Sequence, residues 1–154
     1  MKKLAALLSV TLAVGFASNS KATNRSPEEQ RSVNQRIFVI LDRNGAVEGK
    51  KYPFDQIFSS DAEHKIVALR DELRLLGYVA DRVDRHEKDG IVNYSIDAYQ
   101  RMEFRRSTLE RDSLAMLSLA QKHGVFYDGW GAEIGGKEES NQPTAPTAKA
   151  AAHQ

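Results

Sequence analysis

The feature that most constrains the fold is a regular change of hydrophobic period along the middle of the chain. The run Ile37–Leu41 is apolar at every position, which predicts a strand that is covered on both faces. After a polar stretch, Ser60 and Glu63 form a capping-box pattern, and apolar residues then recur at helical spacing. Gly77 is predicted to end that helix, because glycine adopts the left-handed conformation that closes helices. The pattern therefore begins with a strand and a helix.

The rest of the pattern repeats this order after a hairpin. An Asp-Gly pair is typical of a tight turn between strands, and a second capping-box pattern opens a second helix. The predicted elements are a strand at Tyr78–Arg85, a hairpin loop at His86–Gly90, a strand at Ile91–Tyr99, a helix from Ser107 and Glu110 to Gly124 with Leu109, Met116, Leu119 and Ala120 buried, and a strand at Val125–Ile134. This order indicates an α+β fold, the ferredoxin-like βαββαβ sandwich. It has a four-stranded antiparallel sheet with two helices on one face.

The two ends of the chain differ in composition from this middle part. Residues 1–22 combine a cationic start, an uncharged run of 14 mostly apolar residues at 4–17 and a small residue at Ala22. This is typical of a secretory signal peptide, with cleavage after Ala22 and, as a second choice, after Ala17. The run is shorter than the ~20 residues that span a membrane. We therefore expect a periplasmic or secreted protein that contacts the membrane only through this segment during export.

The remaining boundaries follow from composition. Residues 23–35 are polar and are expected to hold a short helix that starts near Ser26 and Pro27. Residues 36–134 form the predicted domain. Residues 135–154 contain no aromatic or branched aliphatic side chain, so they are expected to be disordered.

Composition also limits the function. The chain has no cysteine, which excludes disulfides, zinc-thiolate sites and thiol catalysis. Without Lys2, Lys3 and Lys21 the chain carries 19 basic and 21 acidic residues, so it has no strong positive potential that would attract nucleic acid. The four histidines are scattered, and no catalytic or phosphate-binding motif is present. We predict no catalytic residues, no metal, no cofactor and no enzymatic activity.

The stretch Tyr127-Asp128-Gly129-Trp130-Gly131 contains the single tryptophan. A regular strand would place Asp128 on the same face as Trp130, and an unpaired buried carboxylate is costly. A β-bulge at Asp128-Gly129 avoids this, because it turns Tyr127 and Trp130 inward and Asp128 outward. We favour the bulge, and a binding site at Trp130 and Asp128 remains the alternative.

Two short motifs carry a resemblance to a known family. Leu76-Gly77-Tyr78 ends the first helix, and Tyr127–Trp130 follows a second helix that ends in "AQKHG". Together with the strand and helix spacing over Arg36–Ile134, this resembles the ribonuclease E inhibitors, the family of the regulator of ribonuclease E activity B (RraB). The resemblance implies a ferredoxin-like fold without catalytic residues that binds the endoribonuclease and alters which RNAs it cuts. This chain differs from that family in two ways. The ribonuclease works in the cytoplasm, whereas this chain begins with an export signal, and the well-known members are strongly acidic, whereas the charge here is nearly balanced.

The predicted contact surface for a protein partner, whose identity the sequence does not give, includes the open sheet face. Its predicted contact residues are Arg101, Arg105, Arg106, Arg111, Asp128 and Trp130. Acidic residues lie near these arginines in the sequence, so the alternative to a partner contact is that the arginines form salt bridges within the chain. The loop Asn44–Phe58 is a second possible contact, unless its aromatics form a hydrophobic lid.

Two other functions remain open at this point. The first is an RNA-binding ferredoxin-like domain, although the outward positions of the third strand, Asn93, Ser95, Asp97 and Tyr99, do not form a base-stacking platform. The second is a cytoplasmic ribonuclease E inhibitor, which applies if the N-terminus is not cleaved.

Overall fold

The computed structural model describes residues 23–134, so the predicted signal peptide and C-terminal tail lie outside the described residues. The elements are α1 (Pro27–Arg43), β1 (Lys51–Ser60), α2 (Glu63–Leu75), β2 (Asp84–Lys88), β3 (Ile91–Glu103), α3 (Arg106–His123) and β4 (Phe126–Ala132). Within residues 23–134 no helix is long and apolar enough to cross a membrane.

The four strands form one antiparallel sheet in the order β2-β3-β1-β4. This is the strand order of the ferredoxin-like fold, so the predicted α+β class is confirmed. Helices α2 and α3 pack against the sheet, and the additional helix α1 packs beside α3. The core lies between this helix layer and one face of the sheet, and nothing within residues 23–134 covers the other face.

The predicted first strand at Ile37–Leu41 is wrong, because these residues belong to α1. Helix α1 begins at a capping box formed by Ser26 and Glu29, and it continues past residue 36. Ile37, Phe38 and Leu41 point into the core, while Val39 is 47% exposed. A short apolar run fits a buried strand and a half-buried helix equally well, and here the start signal upstream decides.

The predicted loop Asn44–Phe58 is also wrong in its second half, because β1 occupies Lys51–Ser60. Side chains at every second position of β1 are buried against the helices, among them Tyr52, Phe54 and Phe58. These aromatics are therefore part of the core, and they form neither a contact loop nor a lid.

Helix starts were predicted less well than helix ends. Neither predicted capping box forms, since α2 and α3 begin after Ala62 and Arg105 without a side-chain cap. Gly77 and Gly124 end their helices with φ of 87° and 63°, as predicted. The predicted stripe Leu109, Met116, Leu119 and Ala120 is buried.

The hairpin between β2 and β3 turns at Asp89 and Gly90, both at positive φ, as predicted. The strand before it is shorter than predicted and lies later in the chain, since His86–Lys88 of the predicted loop belong to β2. Of the stretch Tyr78–Arg85, Val79 forms only an isolated bridge with Tyr99, and β2 begins at Asp84.

Candidate protein-interaction site

The predicted β-bulge in β4 is present. Ile57 of β1 lies opposite Gly129, and the next residue, Phe58, lies opposite Tyr127, so Asp128 is the extra residue. Gly129 has a φ of 136°, a conformation that side chains other than glycine rarely adopt. The bulge turns Tyr127 and Trp130 into the core and leaves Asp128 exposed.

Trp130 fills the space between α1 and the sheet. Its ring centre lies 5.7 Å from that of Phe38 on α1 and 6.0 Å from that of Phe54 on β1. Its indole Nε1 donates a hydrogen bond of 2.8 Å to Asn34 Oδ1. Only 4% of Trp130 is exposed, so its main role is to attach α1 to the sheet.

Asn34 is the centre of a buried polar network that the sequence analysis did not identify. Its Oδ1 also accepts a 3.0 Å hydrogen bond from Gln30, and its Nδ2 donates to Ser113 Oγ at 2.7 Å. All three side chains are fully buried. The available signal was a pair of amide side chains, four residues apart, on the apolar side of α1.

The four predicted arginines do not form one surface, and three of them are paired within the chain. Arg105 donates to Glu103 at 2.8 Å, and Arg111 lies 3.3 Å from the adjacent Asp112. Arg106 donates to both carboxylate oxygens of Asp42 at 2.7 and 2.8 Å and lies over the ring of Phe38.

Arg101 differs from the other three. It lies on β3 opposite Pro53, on the uncovered sheet face, and it has no ion pair within the described residues. Asp128 shares this face but lies towards the other end of β1, near Ile57 and Phe58. The partner-contact role of the six residues stays a prediction, although burial leaves Trp130 little surface to offer.

The uncovered sheet face is dominated by carboxylates. Asp55 of β1, Asp97 of β3, Asp128 in the bulge and Glu133 after β4 all lie on it. No ion pair is found for any of these four within residues 23–134. Ion-pair partners are present for Glu28, Asp42, Glu48, Asp71, Glu72, Asp81, Asp84, Glu87, Glu103, Glu110 and Asp112. Glu29, Asp61, Glu63 and Asp89 also have no ion pair within residues 23–134, so what distinguishes the four is that they lie together on one face.

Loss of hydration and repulsion from neighbouring carboxylates raise the pKa of Asp55, Asp97 and Asp128. Burial raises the pKa of Asp55, and Asp97 and Glu133 raise it further by repulsion. The pKa of Asp97 is raised by loss of hydration and by Asp84, while His86 opposes this. Asp97 is exposed at the surface, so water screens part of this repulsion.

The same effects act on Asp128 at the edge of the group. Loss of hydration is the main cause that raises its pKa, and repulsion from Asp97 adds to it. A hydrogen bond with Ser59 and the charge of Arg25 lower the pKa in part. All three shifts are upward, so Arg25 and His86 offset the loss of hydration and the repulsion only in part.

Apolar side chains lie among the carboxylates. Tyr99 is opposite Asp55 and is 47% exposed, and its bridge partner Val79 is 38% exposed. Ile57 lies opposite Asp97 and is partly exposed. We call the surface formed by these residues the acidic sheet face, and define it as Asp55, Ile57, Val79, Asp97, Tyr99, Asp128 and Glu133.

The chemistry of the acidic sheet face favours a basic protein segment. Carboxylates repel a phosphate backbone, so the charge of this face opposes RNA binding. In residues 23–134 no group of three or more histidine, aspartate or glutamate side chains is arranged to hold a metal ion. Exposed aromatic side chains are instead enriched at protein contacts, and carboxylates there complement a partner of opposite charge.

Comparison with known proteins identifies the family. A family model described as "Regulator of ribonuclease activity B" matches residues 31–132, which run from α1 to the end of β4. The chain belongs to this family. The resemblance seen in Leu76-Gly77-Tyr78 and Tyr127–Trp130 is therefore confirmed.

Two relatives carry the same description. The regulator of ribonuclease activity B of Alteromonas mediterranea is 29% identical over 113 residues, which cover 73% of this chain and 86% of the relative. That of Photobacterium profundum is 26% identical over 110 residues, which cover 68% of this chain and 80% of the relative.

Proposed function

We propose that this protein is a non-catalytic regulator that acts by binding a protein partner through the acidic sheet face. The observation that carries the proposal is that four carboxylates without an ion pair in residues 23–134 lie together on one sheet face, three of them with a raised pKa. Charges that repel one another lower the stability of the folded protein. Such a local cost is typical of residues that serve a function other than folding.

The proposed partner presents a segment rich in arginine or lysine. Opposite charge accelerates encounter and fixes the orientation of the complex. The family's description names ribonuclease activity, and surfaces that hold RNA are basic because they neutralise phosphates. A basic surface of a ribonuclease therefore has the charge that the acidic sheet face would bind.

We further propose that the protein is exported and that its mature form begins at Thr23. The pattern of residues 1–22 supports this. The partner is then a protein outside the cytoplasm. Cell fractionation with N-terminal sequencing tests the proposal. An uncleaved protein in the cytoplasm would instead favour a regulator of a cytoplasmic ribonuclease.

The binding surface is tested with two charge variants of residues 23–154. Asp97→Asn with Asp128→Asn removes two charges from the acidic sheet face, and Arg105→Ala with Arg111→Ala removes two of the predicted arginine contacts at α3. The measurement is the affinity for a deca-arginine peptide and the inhibition of a purified ribonuclease on a fluorescent RNA. We expect the aspartate variant to bind about tenfold more weakly, a loss of about 1.4 kcal/mol.

The arginine variant is the matched control. It changes the same number of charges but leaves the carboxylates in place. If it loses inhibition while the aspartate variant keeps it, the arginines at α3 are the contact and the acidic sheet face is not.

A further inference from the structure

Asn24 and Arg25, near the start of the described residues, lie at the outer edge of β4. The side chain of Asn24 bridges this edge, since its Nδ2 donates to Val125 O and its Oδ1 accepts from Tyr127 N, both at 2.8 Å. Arg25 Nη1 donates to Asp128 O at 3.2 Å. From here α1 runs on the helix side, so the residues before Thr23 join the domain at the sheet edge beside Asp128.

The segment that precedes this anchor has the opposite charge to the acidic sheet face. Residues 1–22 contain Lys2, Lys3 and Lys21 and no acidic residue, and positions 4–17 are mostly apolar. Lys21 is three residues before Asn24, a reach of about 10 Å in an extended chain. Asp128 therefore lies within range of Lys21.

We propose that residues 1–22, as long as they remain attached, bind the acidic sheet face and block it. This inference rests on the proposed function, because it assigns a regulation to the same surface. Lysines would meet Asp55, Asp97, Asp128 and Glu133, and the apolar run would cover the exposed surface of Tyr99. Removal of the segment would then release the surface, so that the precursor does not bind a basic partner before export.

Two other occupants, residues 135–154 and a second copy of the chain, fit this face less well. Residues 135–154 carry two lysines and two glutamates, so they have no net charge to offer. A second copy of the chain would place one group of unpaired carboxylates against another, which is unfavourable. Charge complementarity therefore singles out residues 1–22.

The expected strength of the block follows from tethering. A segment attached by a short linker has an effective concentration of about 1 mM. A tenfold loss of apparent affinity for a competing peptide then corresponds to a Kd of about 0.1 mM for the separate segment.

Contact between the segment and the face is tested by zero-length carbodiimide crosslinking of the full chain, which joins lysine amines to adjacent carboxylates. Mass spectrometry should find Lys2, Lys3 or Lys21 joined mainly to Asp55, Asp97, Asp128 or Glu133 within one molecule. Crosslinks spread evenly over all exposed carboxylates, or none to these four, would overturn the proposal whether or not the face binds a partner.

The block itself is tested with the deca-arginine peptide. The full chain should bind it about tenfold more weakly than residues 23–154, and Lys2→Ser with Lys3→Ser and Lys21→Ser should restore binding. Lys137→Ser with Lys149→Ser is the control from the other end of the chain and should have no effect. Equal binding by both chain lengths overturns the block but leaves the proposed function intact. If neither binds, the proposed function fails, and the crosslinks alone decide where the segment lies.

Discussion

The buried network around Asn34 gives the sharpest test of how α1 is held on the domain. Leucine is apolar and of similar size, so Asn34→Leu leaves the indole N–H of Trp130 and one amide N–H of Gln30 without an acceptor in the core. Each orphaned buried donor costs about 1–3 kcal/mol. The free energy of unfolding should therefore fall by about 2–6 kcal/mol, a large part of the total of a typical domain.

A second substitution separates the hydrogen bonds from the packing. Trp130→Phe removes one donor, and in the wild-type background Asn34 Oδ1 keeps its bond from Gln30. In the Asn34→Leu background the same change removes a donor that already lacks a partner. The cost of Trp130→Phe should then be at least about 1 kcal/mol smaller than in the wild type.

The assay is urea unfolding of residues 23–154, followed by circular dichroism for all variants. Trp130 is the single tryptophan, so its fluorescence also reports directly on the network where it is present. Val39→Ala on the same helix is the control, because Val39 is 47% exposed and surface changes stay within about 0.5 kcal/mol. A cost below about 1 kcal/mol for Asn34→Leu, or fully additive costs, would refute this account of α1.

Two further predictions concern the sheet face and the bulge. Because the pKa of Asp97 is raised in the folded state, the charge of Asp97 lowers the stability of the folded protein at neutral pH. This loss of stability is complete above the folded pKa and absent below the unfolded pKa of about 3.9. Asp97→Asn should thus unfold at higher urea concentration than the wild type at pH 7, and the difference should shrink towards pH 3; a difference that grows on acidification would contradict it. Gly129→Ala should lower the free energy of unfolding by about 1–3 kcal/mol, because a φ of 136° is strained for alanine. An added Cβ would meet no atom within 4 Å, so no steric clash adds to this cost. Asp128→Ala, which keeps the glycine, should not show this loss in the same urea titration.

The fold class was predictable from the sequence because most elements carry local signals. Gly77 and Gly124 mark helix ends, and Asp89-Gly90 marks the hairpin. The run Ile37–Leu41 was misread because its own composition fits both a strand and a helix. The deciding information lies 11 residues upstream, where Ser26 starts a helix whose buried positions continue into the run.

The acidic sheet face depends on pairing, which no local signal contains. Asp97 and Asp128 could be placed on the outer face from strand alternation and from the bulge. Asp55 could not, since β1 was read as a loop. Only the order β3-β1-β4 places the three carboxylates side by side. The pairing of Arg106 with Asp42 is likewise a tertiary result, because it depends on α1 lying beside α3.

The bulge in β4 connects the stability of the domain with its proposed contact surface. One extra residue reverses the direction of the side chains after it, so Trp130 enters the core while Asp128 stays outside. Without the bulge the carboxylate would share the buried face with the indole, and its burial would cost more than the hydrogen bond to Asn34 returns. The Tyr127–Gly131 stretch therefore contributes core packing on one side of the sheet and part of the acidic sheet face on the other. A change at Gly129 should affect both properties, whereas Trp130→Phe should lower stability and leave the affinity for a basic peptide unchanged.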